Sequence, residues 1–194
     1  MRKIILASQS KQRQRLLKQI GLRFVSAKSD VKEEASLKLK GGCAGLVMRN
    51  ALRKAKDVAD RFDSGVVIAA DTVVLSGRKI IGKPKDLDDA FKTLKIISRK
   101  PQWVYTGMAV IDIDNKKVLT DYEKTKIYMY ALSDRQIRNY FKKVSPLEKA
   151  GSFDIQGLGS IFINRIEGCF NNVIGLPLAK LAKMLKETNV DLFA

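Results

Sequence analysis

Residues 66–83 read VVIAADTVVLSGRKIIGK, a buried strand interrupted by a carboxylate. Five apolar residues, Val66 to Ala70, precede Asp71, and the apolar run resumes after Thr72 until Ser76-Gly77 turns the chain. Aspartate is depleted in strands and costly to bury unless it is paired with a cation or hydrogen-bonded. The two alanines before Asp71 keep the local volume small and leave space for a ligand. We therefore predict that Asp71 lies at the centre of an active site.

Composition sets the bounds on fold and partners. The chain has 194 residues, of which 45% are hydrophobic, and this suffices for one domain, 1–194, with room for two lobes. The formal net charge of +17 favours anionic partners such as nucleotides, nucleic acids or acidic lipid surfaces. Because the basic residues are spread along the chain, a lysine-rich solvated surface explains this charge as well as a nucleic-acid groove does.

Histidine is absent from the sequence, which removes the commonest general base and imidazole metal sites. Catalysis would then use carboxylates, lysine or tyrosine, and a metal would be a hard ion held by oxygen, Mg or Mn rather than Zn. Cys43 and Cys169 are isolated, which indicates a reducing compartment. Neither a signal-peptide core nor a run of membrane-spanning length is present, so we expect a cytoplasmic protein without a membrane partner.

Strands and helices interleave along the chain, and hairpins also occur, so we predict an α/β fold with a mixed sheet. The predicted strands cover 4–7, 24–25, 66–75, 79–81, 103–113, 118–129 and 160–166. The predicted helices cover 11–19, 46–62, 86–98 and 133–141, with a last one that has Pro177 in its first turn. Ser10 is a predicted N-cap, and Ser133 with Gln136 forms a predicted capping box. Thr106-Gly107 indicates a close approach or a bulge.

Two cationic side chains are candidates for a site around Asp71. Arg13 lies near the start of a helix that follows a serine turn, a natural phosphate cradle, although solvated basic residues beside a simple cap fit the same pattern. Lys54 projects from the apolar side of its helix, where a lysine either snorkels at the margin or points into a cleft to meet an anion.

Three further segments contribute candidates. Glu33 and Glu34 lie in an acidic loop, where glutamates are either solvent-exposed or cation ligands. Lys83 lies on a constrained loop between Gly82 and Pro84. The glycine-rich stretch 149–159 allows backbone N–H groups close to a ligand, but it is neither a Rossmann fingerprint nor a P-loop.

Together these residue types indicate hydrolysis of a phosphoanhydride. Asp71 and one of Glu33 or Glu34 could hold a divalent cation, or one could activate water while the other holds the metal. Lys54, Lys83 and Arg13 could neutralise phosphate oxygens, and catalysis of this kind is largely positioning and charge stabilisation.

Several separated motifs, in the right order, resemble the Maf family of nucleoside triphosphate pyrophosphatases, once linked to septum formation. They are LASQS with Arg13, DVKEE, Lys54-Ala55, AADTVV with GKP, Thr106-Gly107, KAGSFDIQGLG, and NNVIGLPL from Asn171. The resemblance implies a Maf/ITPase-like α/β fold with an elongated mixed sheet, flanking helices and two lobes around a central cleft, commonly as a homodimer. It implies a nucleoside triphosphate substrate cleaved between the α- and β-phosphates with a divalent metal, Mg or Mn.

Carried over by motif, the resemblance makes Asp71 the proton acceptor and, with Glu33, a metal ligand; Glu34 is the adjacent alternative. It implies that a second set of residues binds substrate: Ser8, Gln12, Arg13, Lys54, Thr72, Lys83 and Gln156. The pairing of Thr72 with Gln156 is similar to the subgroup acting on dTTP and UTP.

The serine motif departs from the family pattern, because Gln12 stands where the family has an arginine associated with substrate choice. A second segment, 98–102, lacks the usual glycine and histidine. A 7-methyl-GTP-type or broad-specificity pyrophosphatase is therefore the alternative function. A catalytically idle nucleotide-binding member, or a basic nucleic-acid-binding protein, is a second. We do not expect nucleic acid as a partner, because no helix-turn-helix or aromatic stacking motif is recognisable.

Overall fold

A computed structural model describes residues 2–34, 41–147 and 149–193 of the chain. The chain divides into two compact units. The first unit comprises Met1–Thr72, Tyr105–Glu123 and Ile174–Ala194, and the second comprises Val73–Val104 and Lys124–Val173. The single domain 1–194 and the central cleft stay predictions.

The described residues form a seven-stranded sheet flanked by helices. The strands are β1 (Ile4–Leu6), β2 (Val25–Ser26), β3 (Val66–Ser76), β4 (Lys79–Ile81), β5 (Gln102–Asp112), β6 (Lys117–Met129) and β7 (Ile163–Glu167). The helices are α1 (Lys11–Gln19), α2 (Gly42–Ala59), α3 (Leu87–Ile97), α4 (Asp134–Phe141), α5 (Phe170–Ile174) and α6 (Leu178–Lys186). None of the described helices is both long enough and apolar enough to cross a membrane.

The sheet is mixed, as the interleaved pattern predicts. Its order is β2-β1-β3-β5-β6-β7, and β4 pairs with β3 outside this path. Strand β1 is parallel to β2 and β3, whereas β4 is antiparallel to β3 and β7 is antiparallel to β6. The α/β class with a mixed sheet and flanking helices is therefore confirmed.

The first unit buries both faces of β1 and of the first six residues of β3, and this is why these strands read as continuous apolar runs. Alternate residues of these strands contribute to two separate apolar clusters: Leu6 and Ile68 pack with α1 and α6, whereas Val67 packs with α2. At Gly107 on β5, a Cβ would lie 2.3 Å from the backbone carbonyl carbon of Val47. The close approach predicted at Gly107 is confirmed, since only glycine lets α2 lie this near the strand.

The second unit has its own apolar cluster, in which helices α3 and α4 meet. The predicted capping box at the start of α4 is present, with Ser133 and Gln136 each bonding the other's backbone N–H. The hydroxyl of Tyr140 accepts a hydrogen bond of 3.0 Å from the backbone N–H of Asp154. Burial raises the pKa of Tyr140 above its ordinary value. Tyr140 thus ties the glycine-rich stretch to this cluster.

The larger differences from prediction concern the start of α2, the start of β7 and an additional helix. Helix α2 begins at Gly42, four residues before the predicted start, because Gly-Cys-Ala-Gly carries little amphipathic signal although it is helical. Residues 160–162 were predicted as strand but belong to a 3-10 turn, Leu158–Phe162, so β7 begins only at Ile163. The short helix α5 has no counterpart among the predicted helices.

Candidate active site

Asp71 lies buried on β3, with 4% of its surface exposed, and both of its carboxylate oxygens accept hydrogen bonds. Lys54 Nζ donates to Oδ1 at 2.8 Å, and Asn50 Nδ2 donates to Oδ2 at 2.9 Å. A buried carboxylate is tolerated when a cation and hydrogen bonds compensate for lost hydration. The cost of placing an aspartate in this strand is met by these two residues of α2.

Lys54 joins two carboxylates rather than snorkelling to solvent. Its ammonium group donates to Asp71 and to Glu33 Oε1, and its side chain is 10% exposed. The snorkelling alternative is wrong. Lys54 meets anions, as the other alternative predicts, and these anions are the side chains of Asp71 and Glu33. Its contact with phosphate stays a prediction. Lysine fits here because its ammonium offers three donors to acceptors in different directions.

One side chain of α2, that of Asn50, holds the backbone of the acidic loop at Glu34. Asn50 Oδ1 accepts from the backbone N–H of Glu34 at 3.0 Å, and Asn50 Nδ2 donates to the carbonyl of Glu34 at 2.9 Å. The side chain of Glu34 pairs with Arg53 at 3.0 Å. Because Glu33 instead forms an ion pair with Lys54, the structure places Glu33, and not Glu34, beside the ion pair of Lys54 and Asp71.

Arg13 gathers a second group of predicted site residues. Its Nε donates to the carbonyl of Gly175 at 2.9 Å, its Nη2 to Thr72 Oγ1 at 3.0 Å, and its Nη1 to Ser8 Oγ at 3.4 Å. Thr72 Oγ1 also lies 2.9 Å from Thr106 Oγ1. A guanidinium has five N–H groups, so three bonds leave donor capacity for an anionic ligand.

Electrostatic interactions connect the residues around Asp71 with those around Arg13. Burial lowers the pKa of the Arg13 guanidinium below its ordinary value, and the negative charges of Asp71 and Glu33 act in the opposite direction. Arg13, Lys54 and the two carboxylates therefore form one electrostatic system within the first unit. Two cations beside two carboxylates suit an anionic substrate that arrives together with a divalent cation.

The remaining predicted substrate residues have other surroundings. Gln12 is exposed on α1, where its Oε1 accepts from Ser10 Oγ at 3.3 Å. Lys83 and Gln156 belong to the second unit and are exposed. The backbone N–H of Gln156 donates to Asp154 Oδ1 at 3.0 Å. The substrate roles of these three residues stay predictions.

The side chains of the protein supply only some of the ligands that a hard divalent cation needs. Among the residues that the structure describes, no group of three histidine, cysteine, aspartate or glutamate side chains could hold a metal. Glu33 and Asp71 provide two carboxylates around one ammonium group. Magnesium is commonly held by one or two carboxylates, with water and substrate phosphates as the other ligands. The two carboxylates fit that kind of site.

The sequence interpretation missed Asn50 and gave Thr106 no role at the site. Asn50 is 1% exposed and precedes Lys54 by four residues, so both side chains lie on the same side of α2. An asparagine one turn before a core-facing lysine was the available signal. Thr106 carried no comparable signal, because its contact with Thr72 joins residues 34 positions apart.

A family model described as Maf-like protein matches residues 3–188 of the chain. Three curated relatives, each named dTTP/UTP pyrophosphatase, are similar over nearly their whole length. The protein of Ruminiclostridium cellulolyticum is 42% identical over 189 residues, which is 97% of each chain. That of Clostridium botulinum strain 657 is 42% identical, covering 99% of this chain and 100% of its own. That of Methanosarcina barkeri is 41% identical, covering 100% and 98%.

A solved structure of lower similarity is titled nucleoside-triphosphatase / dITP/XTP pyrophosphatase and comes from Mycobacterium abscessus. It has a TM-score of 0.43 and 16% identity, with 82% of this chain and 93% of that chain covered.

Proposed function

The chain belongs to the Maf family, and from this premise we propose that it is a nucleotide pyrophosphatase that hydrolyses dTTP and UTP. The reaction breaks the α–β phosphoanhydride and releases the monophosphate and pyrophosphate. The relatives named dTTP/UTP pyrophosphatase, at 41% to 42% identity over nearly their full length, support this substrate class. The single observation that carries the mechanism is the buried carboxylate of Asp71 between Lys54 and Asn50.

Asp71 is the proposed proton acceptor. Each carboxylate oxygen has two lone-pair positions, so the bonds from Lys54 and Asn50 leave Asp71 able to accept a proton from water. The water oxygen then bonds to the α-phosphorus, while the bond between that phosphorus and the α–β bridging oxygen breaks. The proton goes to Asp71, and the bridging oxygen leaves with pyrophosphate.

Lys54 and Arg13 are the proposed sources of positive charge. Lys54 fixes the carboxylates of Asp71 and Glu33 relative to one another through its two bonds. Arg13 is held by Gly175 and Thr72 and retains donor capacity for phosphate oxygens. Preorganised cations of this kind stabilise charge that spreads over the phosphoryl oxygens during transfer.

Glu33 and Asp71 are the residues that would hold a divalent cation, Mg or Mn. When bound, the cation would supply charge neutralisation for the phosphate oxygens. Lys83 in the second unit is a further proposed phosphate contact, by its motif.

Base selection is proposed to involve Thr72, Gln156 and Gln12, and Ser8 is a further proposed substrate contact. The bond from Arg13 fixes the hydroxyl of Thr72, and this supports a defined role for that hydroxyl. A 7-methyl-GTP-type or broad-specificity activity is the alternative, because Gln12 replaces the family's arginine. A cytoplasmic location is proposed from the isolated cysteines, and a homodimer from family membership.

The test is pyrophosphate release from a panel of canonical and modified nucleoside triphosphates with Mg or Mn. Asp71→Asn keeps the shape of the side chain and removes its basicity, so turnover should fall by about 100-fold or more. Asp60→Asn changes an exposed aspartate at the C-terminal end of the α2 helix and is the matched control. Turnover of none of the nucleotides by the wild type, or equal turnover in Asp71→Asn, would overturn the mechanism.

A further inference from the structure

The second unit displays a surface that the proposed function does not use. Two aromatic rings and three cationic side chains lie together on the neighbouring strands β5, β6 and β7. We call this set the basic–aromatic face: Trp103, Lys124, Lys126, Tyr128 and Arg165. Residues 124, 126 and 128 share one side of β6 because side chains alternate along a strand. Arg165 joins the same side, since it is the register partner of Tyr128.

Contacts between rings and cations order this face. Lys124 Nζ lies 3.8 Å from the centre of the Trp103 ring. Lys126 Nζ lies 5.2 Å from the centre of Trp103 and 4.7 Å from that of Tyr128. The guanidinium carbon of Arg165 lies 4.2 Å from the centre of Tyr128. All four distances are within the range of about 6 Å for cation–π attraction, so the cations lie over the faces of the rings.

The basic–aromatic face is turned to solvent. Lys124 and Arg165 are exposed, and the other three members are partly exposed. Thr125 and Ile127, on the reverse side of β6, are buried. The rings therefore lie on the side of β6 opposite to these buried residues, where part of each ring reaches solvent.

A groove extends the charge beyond the strands. Arg99 and Lys100 are exposed and, together with Tyr128, line a groove of about 260 Å³. The carboxylate of Glu167 also lies on this side, paired with Arg165 at 2.9 Å and hydrogen-bonded by the Tyr128 hydroxyl at 3.1 Å. Among the described side chains named here, five cations stand against this one carboxylate, which gives a positive excess.

We propose that the basic–aromatic face binds single-stranded nucleic acid. When the cationic side chains move from the ring faces to the phosphates of a single strand, the unpaired bases of that strand can stack on the aromatic rings. Sheet surfaces with partly exposed aromatic side chains bind RNA in this way in known modules. A double helix keeps its base faces covered and would gain nothing from Trp103 and Tyr128. The chain's net charge of +17 adds a favourable long-range field.

Trp103 makes the first test local, because it is the only tryptophan of the chain. Titration with fluorescein-labelled oligothymidylate should raise the anisotropy of the label and quench tryptophan emission over the same concentration range. An anisotropy rise without a change in Trp103 emission would place the strand elsewhere and overturn the proposal. Displacement of the strand by dTTP, measured in Asp71→Asn so that dTTP persists, would also overturn it, because the strand would then occupy the nucleotide site.

Substitutions separate this face from general positive charge. The double variant Lys124→Gln/Lys126→Gln should bind oligothymidylate more weakly, and the slope of log K against log salt should fall by about 1.4, or about 0.7 for each phosphate that is no longer neutralised. Lys142→Gln/Lys143→Gln removes two exposed lysines of the same unit and is the matched control. An equal weakening in the control would overturn the proposal.

A substitution of Trp103 tests how much an aromatic ring contributes to binding of the strand. Trp103→Leu keeps an apolar side chain and should weaken oligothymidylate binding about tenfold. Equally tight binding of a duplex of the same length would refute base stacking. Binding to vesicles of phosphatidylserine and phosphatidylcholine with the same dependence on Lys124 and Lys126 would identify a lipid surface instead. Pyrophosphate release is not expected to change in these variants, so failure here leaves the proposed function untouched.

Discussion

The side-chain amide of Asn50 donates to the carboxylate of Asp71 at 2.9 Å and, with the same nitrogen, to the carbonyl of Glu34 at 2.9 Å. Its oxygen accepts from the N–H of Glu34 at 3.0 Å. One buried side chain thus fixes the proposed general base and the loop that carries Glu33. Asn50 is a positioning residue in this arrangement, because it acts on the reaction through Asp71 and Glu33.

Asn50→Ala should lower kcat for dTTP by about 100-fold, since small displacements of catalytic groups have effects of that size. The free energy of unfolding should also fall, by about 1–3 kcal/mol, because buried partners lose their hydrogen bonds. Val58→Ala truncates another buried residue of α2 and lies outside the Asp71 contacts. Equal kcat losses in two variants of equal thermal stability would show that Asn50 matters only for folding.

Lys54→Met should destabilise the protein by about 3–5 kcal/mol, because it leaves the buried carboxylate of Asp71 without its cation. The double variant Lys54→Met/Asp71→Asn should recover much of that loss, since the uncompensated charge is then absent. Urea unfolding of the wild type, both single variants and the double variant gives the coupling free energy. A coupling near zero would mean that the pair adds nothing to stability.

The free energy of unfolding should fall in acid, because Asp112 becomes protonated. Hydrogen bonds from Arg2 hold the pKa of Asp112 well below its ordinary value, and Asn115 adds a bond of 2.8 Å. A lowered folded-state pKa gives stability that is complete above the unfolded pKa of about 4 and is lost as pH falls from there towards the folded value. The unfolding free energy should therefore decrease below about pH 4.

Asp112→Asn isolates this contribution. The variant should be less stable than the wild type at neutral pH, by up to about 3 kcal/mol, because Arg2 loses its buried partner. The difference between the two proteins should shrink as pH falls below about 4, when the wild-type carboxyl becomes protonated. Urea unfolding at a series of pH values measures it, and a constant difference would exclude Asp112 as the titrating group.

The sequence predicts those parts of the fold that depend on neighbours along the chain. The cap at Ser10 and the capping box at Ser133 need only residues three positions away, and both are present. The 3-10 turn at 158–162 was missed because Ile161 and Phe162 look like strand residues, whereas the preceding glycines continue the turn. Local composition could not decide between these two conformations.

In the candidate site, too, only residues with a local sequence signal could be predicted. Asp71 could be predicted because a carboxylate breaks an apolar strand, and that break lies within a few residues. The partners of Lys54 could not, because Glu33 lies 21 positions before it and Asp71 lies 17 positions after it. Only the folded chain distinguishes an ion pair from a snorkelling lysine, since both leave the same pattern on α2.

Gln12→Arg should increase kcat/KM for dTTP and UTP relative to 7-methyl-GTP, if an arginine at this position governs substrate choice. Gln12 is exposed on the first turn of α1, so the new side chain should be accommodated without loss of thermal stability. Gln14→Arg adds the same charge two residues further along the same helix and is the matched control. The comparison needs pyrophosphate release from all three nucleotides with each variant. A gain shared by Gln14→Arg would reflect net charge alone, and no gain in Gln12→Arg would mean that Arg13, already bonded to Thr72, supplies the required cation.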